Sequence, residues 1–103
     1  MKHVVLAALQ RHIGADTGVT AAALARHLDI HERRLRLAIS ALREDGIAIC
    51  GHPSSGYYIA ETAEELERCC RFLRSRAMHS LSIEARLRRI PLPDLIGQLR
   101  LRT

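Results

Sequence analysis

The chain has 103 residues, a formal net charge of +5 and a hydrophobic fraction of 48%, enough for one modest core. Its only aromatic residues are Tyr57, Tyr58 and Phe72, so that core is aliphatic, which favours helices over a β-sandwich. Of its 16 basic residues only Lys2 is lysine. Arginine's planar fork of donors suits phosphates and guanine edges, although a coding bias toward arginine gives the same composition.

Residues 3–13 place Val5, Leu6, Leu9 and Ile13 at helical spacing, and Gly14 ends the run. Gly14 to Gly18 reads as a loop, with Val19 in a very short strand. Thr20 is a candidate N-cap for a helix from Ala21 to Leu28, because its hydroxyl can accept a bond from a first-turn amide. Asp29-Ile30-His31 is a three-residue turn. A third helix follows from Glu32 to Asp45, its inner face Leu35, Ala38, Ile39 and Leu42, and Gly46 closes it. Residues 47–51 and 57–60 are strand-like, with the turn-forming tip His52-Pro-Ser-Ser-Gly56 between them. Thr62 and Glu65 form a capping-box pattern with acidic residues around it. The helix they open can continue to Ile90, where Pro91 stops it, a length of roughly 43 Å. Asp94 then caps a short helix through Leu101.

Helix, helix, short turn, helix, hairpin, helix is a winged-helix order. The fold class is mainly α with a small β-hairpin, a winged helix-turn-helix followed by a long C-terminal helix, divided as 1–61 and 62–103. Leu24-Ala25-x-x-Leu28-x-Ile30, then Leu35-x-x-x-Ile39-x-x-Leu42-Arg43-x-x-Gly46-Ile47-x-Ile49, then Gly56-Tyr57-Tyr58-Ile59, resembles the winged-helix DNA-binding domains of the biotin-repressor and DeoR-like type. The likeness covers residues 3–60. Leu73-Arg-Ser-Arg-Ala-Met78 and its surroundings also resemble small winged-helix proteins of bacteriophages and prophages. Such domains usually begin the recognition helix with Ser or Thr. This chain has His31 there, which leaves Asp29 as the alternative cap.

With Leu35 facing inward and about 100° per residue, Arg33, Leu37, Ser40 and Glu44 point outward and Arg36 and Arg43 flank them. A helix fits the major groove. Arg33, Arg36 and Ser40 are therefore expected at base edges, Leu37 at a thymine methyl, and Arg34 and Arg43 at phosphates. The competing reading is a solvated face in which Glu32, Glu44 and Asp45 pair with these arginines. The wing residues His52, Ser54 and Ser55 suit a backbone phosphate or serve as an ordinary turn in equal measure. The resemblance implies a regulator of transcription that binds double-stranded DNA. Two alternatives stand beside it: a phage replication or packaging accessory, and a winged-helix module that binds protein instead of DNA.

No chemistry-bearing constellation rivals this. His27 and His31 straddle a turn, Cys50 and His52 have no third ligand, and paired carboxylates and a phosphate loop are both missing. The expectation is no enzyme, no metal, no cofactor and no small-molecule effector. Three unpaired cysteines and the lack of any membrane-length apolar run imply a reduced, cytoplasmic chain. On the long helix, Leu66, Cys70, Leu73 and Ala77 form a stripe that can pack on the winged helix. Leu81, Ile83, Leu87, Ile90, Leu92, Leu95, Ile96, Leu99 and Leu101 exceed what that core can cover. Leu81, Leu87, Ile90, Leu95 and Leu99 are accordingly expected to form a homodimer interface.

Overall fold

The computed structural model describes residues 1–99. Its elements are α1 (Lys2–Leu9), a 3₁₀ turn (Ala15–Thr17), α2 (Ala21–Leu28), α3 (Glu32–Glu44), β1 (Ile49–His52), β2 (Gly56–Ile59), α4 (Ala63–Arg88) and α5 (Leu92–Leu99). This is the α+β winged-helix order, with a two-stranded antiparallel hairpin and a long C-terminal helix. The chain forms two compact units, Met1–Cys69 and a second that begins at Cys70.

In the first unit, α3 packs on α1, α2 and β1. Leu35, Ala38, Ile39 and Leu42 of α3 bury their side chains against Val5 and Leu9, Leu24 and Ala25, and Ile49. Leu35 lies at the centre with no exposed surface. A side chain of this kind contributes very roughly 1.5–3 kcal/mol when fully buried.

Helix ends follow local chemistry. The Thr20 hydroxyl accepts the Ala23 amide at 3.1 Å, so α2 starts where its cap residue allows. Three helices close with the same pair of backbone bonds around a left-handed residue. In α2 that residue is Asp29, in α3 Gly46 and in α4 Arg89. The Ile30, Ile47 and Ile90 amides reach back to the Ala25, Leu42 and Ala85 carbonyls respectively. Asp29 therefore closes α2 and does not cap α3. His31 is the N-cap of α3 and makes no side-chain capping bond.

Backbone hydrogen bonds explain three boundary differences around the sheet. α1 stops at Leu9, short of Ile13, because the His12 carbonyl and the Gly14 amide bond to Ile59 instead. Val19 pairs with Tyr57 through two bonds of 2.9 and 2.7 Å, so β2 gains short partners from the segment between α1 and α2. β1 starts at Ile49, two residues later than expected, since the Ile47 amide is already bonded to Leu42. His52 pairs with Gly56, which leaves a three-residue tip with the left-handed glycine such a hairpin needs.

In α4 the expected inward stripe is out of phase. Leu66, Cys70, Leu73 and Ala77 are all exposed, whereas Glu65, Cys69 and Phe72 are half-buried. In the second unit Ala85 and Leu95 are buried, on the two sides of the Arg89–Pro91 turn. α5 starts at Leu92, so Asp94 sits in its first turn and is not its cap. Pro93 is tolerated there because a first-turn amide has no intrahelical partner. Leu101 lies outside the described residues.

Leu35→Ala should destabilise the protein by about 2–5 kcal/mol, whereas Leu37→Ala on the opposite face of the helix should change stability by less than about 0.5 kcal/mol. Urea unfolding of the two variants checks the assignment of faces.

Candidate nucleic-acid interface

Because the buried stripe fixes the rotation of α3, the outward residues follow without further freedom. Arg33, Arg34, Arg36 and Ser40 are exposed, and Leu37 keeps 64% of its surface. Among the described residues none of the three arginines has an ion pair or hydrogen bond. The acidic residues that were candidates to neutralise them do not. Asp45 is held by Lys2 at 2.8 Å, and among the described residues neither Glu32 nor Glu44 pairs with a cation.

Arg43 is placed differently. It is half-buried, and its Nε donates to the Ile49 carbonyl at 2.8 Å, tying the last turn of α3 to the first residue of β1. Gly51 makes room for this arrangement. A Cβ there would stand 2.8 Å from the Tyr57 ring and 3.4 Å from the Arg43 guanidinium. Sequence spacing put Arg43 on the flank of the helix; nothing in it revealed that a strand carbonyl would be the partner.

At the wing tip, His52 Nδ1 accepts the Ser54 amide at 3.1 Å and lies 2.7 Å from the Ser54 hydroxyl. An Nδ1 that accepts from an amide carries no proton, so in the neutral ring the proton sits on Nε2. Ser54 is exposed, whereas Ser55 is half-buried. The Ser55 carbonyl passes so close to Gly18 that a Cβ there would fall 1.7 Å from its oxygen. The wing tip is thus seated on the loop before α2.

Glu65 has a wider role than its capping pattern suggested. The Thr62 hydroxyl accepts its amide at 3.1 Å, while its carboxylate accepts the Glu61 and Ala15 amides, each at 2.8 Å. The start of α4 is thereby fastened to the 3₁₀ turn. These amide bonds hold the Glu65 carboxyl below its ordinary pKa. The nearby Cys50 thiol is buried, and desolvation together with Cys69 pushes it up to about 12. At neutral pH it is a protonated, inert filler.

Further along, Leu95 is buried, Leu81 and Ile90 are half-buried, and Leu87 and Leu99 are exposed at 80% and 43%. No cluster of three metal-ligating side chains occurs among the described residues. Among those residues, no helix is long and apolar enough to cross a membrane.

A family profile described as an HTH domain matches residues 5–58, just over half of the chain. The matched span runs from α1 through the Tyr58 of β2 and contains the whole arginine-bearing face of α3. The chain belongs to this helix-turn-helix family and carries a helix-turn-helix DNA-binding domain. It matches no curated protein and no solved structure.

The Glu65 fastening has a definite pH dependence. A carboxyl whose pKa is lowered on folding adds stability above its unfolded value, and that stability is lost as pH falls through the lower folded value. Acid titration of thermal unfolding should therefore show stability declining below about pH 4.5. In Glu65→Gln that decline should be shallower. A slope unchanged by the substitution would remove Glu65 from this role.

Proposed function

We propose that this helix-turn-helix protein regulates transcription by placing α3 in the major groove of double-stranded DNA, as a winged-helix protein of the biotin-repressor and DeoR-like type. The carrying observation is the exposed, unpaired set Arg33, Arg34 and Arg36 on a helix whose rotation is fixed by its buried side. Unpaired guanidinium groups on one helix face suit phosphates and guanine edges. In this reading Arg33, Arg36 and Ser40 meet base edges. Arg34 holds a phosphate, as does the Arg43 guanidinium end beyond its Nε. His52, Ser54 and Ser55 meet the neighbouring backbone. Had Glu32, Glu44 and Asp45 neutralised the arginines, a protein-binding module would fit better; Asp45 instead pairs with Lys2. The likeness of residues 62–90 to small phage and prophage proteins favours that origin.

Residues 62–103 serve in this proposal for packing and for homodimerisation. Exposed Leu73, Ile83, Leu87 and Leu99 support a second copy as their cover, since that much aliphatic surface is unfavourable in water. A two-fold dimer would offer two recognition helices to half-sites roughly 34 Å apart.

Binding to a duplex should weaken with salt along a log–log slope of about −4 to −5, as expected if roughly five phosphates are contacted. Arg33→Ala should cost about 1–3 kcal/mol and relax preference at one base, whereas Arg34→Ala should weaken all sequences alike. Fluorescence anisotropy against specific and scrambled duplexes checks both, and a salt-independent response would overturn the reading.

Sedimentation equilibrium should give a dimer for the intact protein and a monomer for Leu87→Glu, since a charge at the centre of an apolar interface is costly to bury. An intact protein that is monomeric at tens of micromolar would end the dimer proposal.

A further inference from the structure

Leu37 stands apart from the other large apolar side chains of the first unit. It keeps 64% of its surface, against 51% for Val4, 48% for Ile13, 43% for Met1 and 42% for Leu66. A single exposed leucine is ordinary on a protein surface. This one, however, lies in the middle of α3 among Arg33, Arg34, Arg36 and Ser40, on the face opposite Leu35. It belongs to no core cluster, and Arg33, Arg34, Arg36, Ser40 and Glu44 around it are all polar or charged.

The two ends of the same face differ. Among the described residues its first half carries three unpaired arginines, whereas Glu44 at the far end is exposed and has no cationic partner. An unneutralised carboxylate repels phosphates. Glu32 in the first turn is one as well, but there three guanidinium groups outweigh it, so the first half of α3 is the part that approaches the nucleic acid. Leu37 falls within reach of that half, one turn beyond Arg33. In the major groove the base edges present polar groups and one apolar feature, the C5-methyl group of thymine. A leucine carried into that groove has no other apolar partner.

We propose that Leu37 is a specificity-determining residue that reads the C5-methyl group of a thymine in the bound site. This rests on the DNA-binding reading above and deepens it. The rise of about 1.5 Å per residue puts Leu37 roughly 6 Å along the helix from Arg33. The thymine is accordingly read one or two base steps from the position that Arg33 contacts. Burying one methyl group is worth about fourfold in affinity.

The test uses the full-length protein and duplexes recovered by selection from a randomised pool. Each thymidine of the best duplex is replaced singly by deoxyuridine, which removes the methyl group and keeps the base pairing. Affinities are measured for the wild-type protein and for Leu37→Ala, whose unchanged melting temperature shows that the fold is kept. One replacement should weaken wild-type binding about fourfold, and the same replacement should leave Leu37→Ala unaffected. If the duplex is bound specifically and every replacement is neutral, the methyl-reading role falls while DNA recognition stands. A uracil effect of the same size in Leu37→Ala assigns the methyl contact to another residue and likewise overturns the proposal. If no duplex is selected at all, the DNA-binding reading falls with it.

Discussion

The buried stripe of α3 is the constraint on which the rest of the protein depends. Leu35, Ala38, Ile39 and Leu42 are 0 to 7% exposed and meet α1, α2 and β1 at once. Three neighbours on one side leave the helix a single rotation and a single outward face. Placement of Arg33, Arg34 and Arg36 is therefore a result of packing between aliphatic side chains; these three contribute nothing to it. Charge on this protein is arranged by hydrophobic burial, which is non-directional and supplies most of the stabilising free energy.

The hairpin depends on the same helix through a more directional link. Arg43 carries the last turn of α3 into the root of β1 by one hydrogen bond, and β2 is bonded along its other edge to His12, Gly14 and Val19. Strands this short are marginal as an isolated pair. Here the extra bonds on β2 and the packing of Ile49 supply the support that the pair lacks. The Lys2–Asp45 pair, by contrast, joins two side chains that are 42% and 50% exposed, and adds little beyond removing a carboxylate from the neighbourhood of the recognition face.

Much of this architecture is legible in the amino-acid order because its determinants are local. Thr20 and Thr62 cap the helices they precede, Gly46 ends α3, and the 35, 38, 39, 42 spacing names the buried face. Where the sequence misleads, a distant partner intervenes. The helical pattern stops short of Ile13 because β2 claims the His12 carbonyl and the Gly14 amide, and Glu65 reaches fifty residues back to Ala15. Asp29 has the composition of an N-cap yet adopts the left-handed conformation that ends the previous helix, a role that Asp tolerates better than most residues. The phase of α4 is missed for a related reason. Leu66 is more apolar than Glu65, but at the start of α4 it is the Glu65 carboxylate that turns inward, to accept the Ala15 and Glu61 amides. For the candidate interface, the sequence identifies which residues face outward; which of them carry an unanswered charge depends on where Asp45 finds its partner.

The seat of the wing on the Gly18 loop has a consequence for how such a protein diversifies. The Ser55 carbonyl lies against Gly18, and a Cβ at Gly56 would stand 2.5 Å from the Val19 carbonyl oxygen, so both positions are closed to larger residues. Only Pro53 and Ser54 at the tip are exposed and outside the strand pairing. Sequence drift, loop lengthening or an inserted peptide is thus channelled to two adjacent residues. The outward residues of α3 are free to change independently, because none of them touches the core. A lineage built on this frame can alter what the wing meets and what the helix reads in separate steps, without either change passing through an unfolded ancestor.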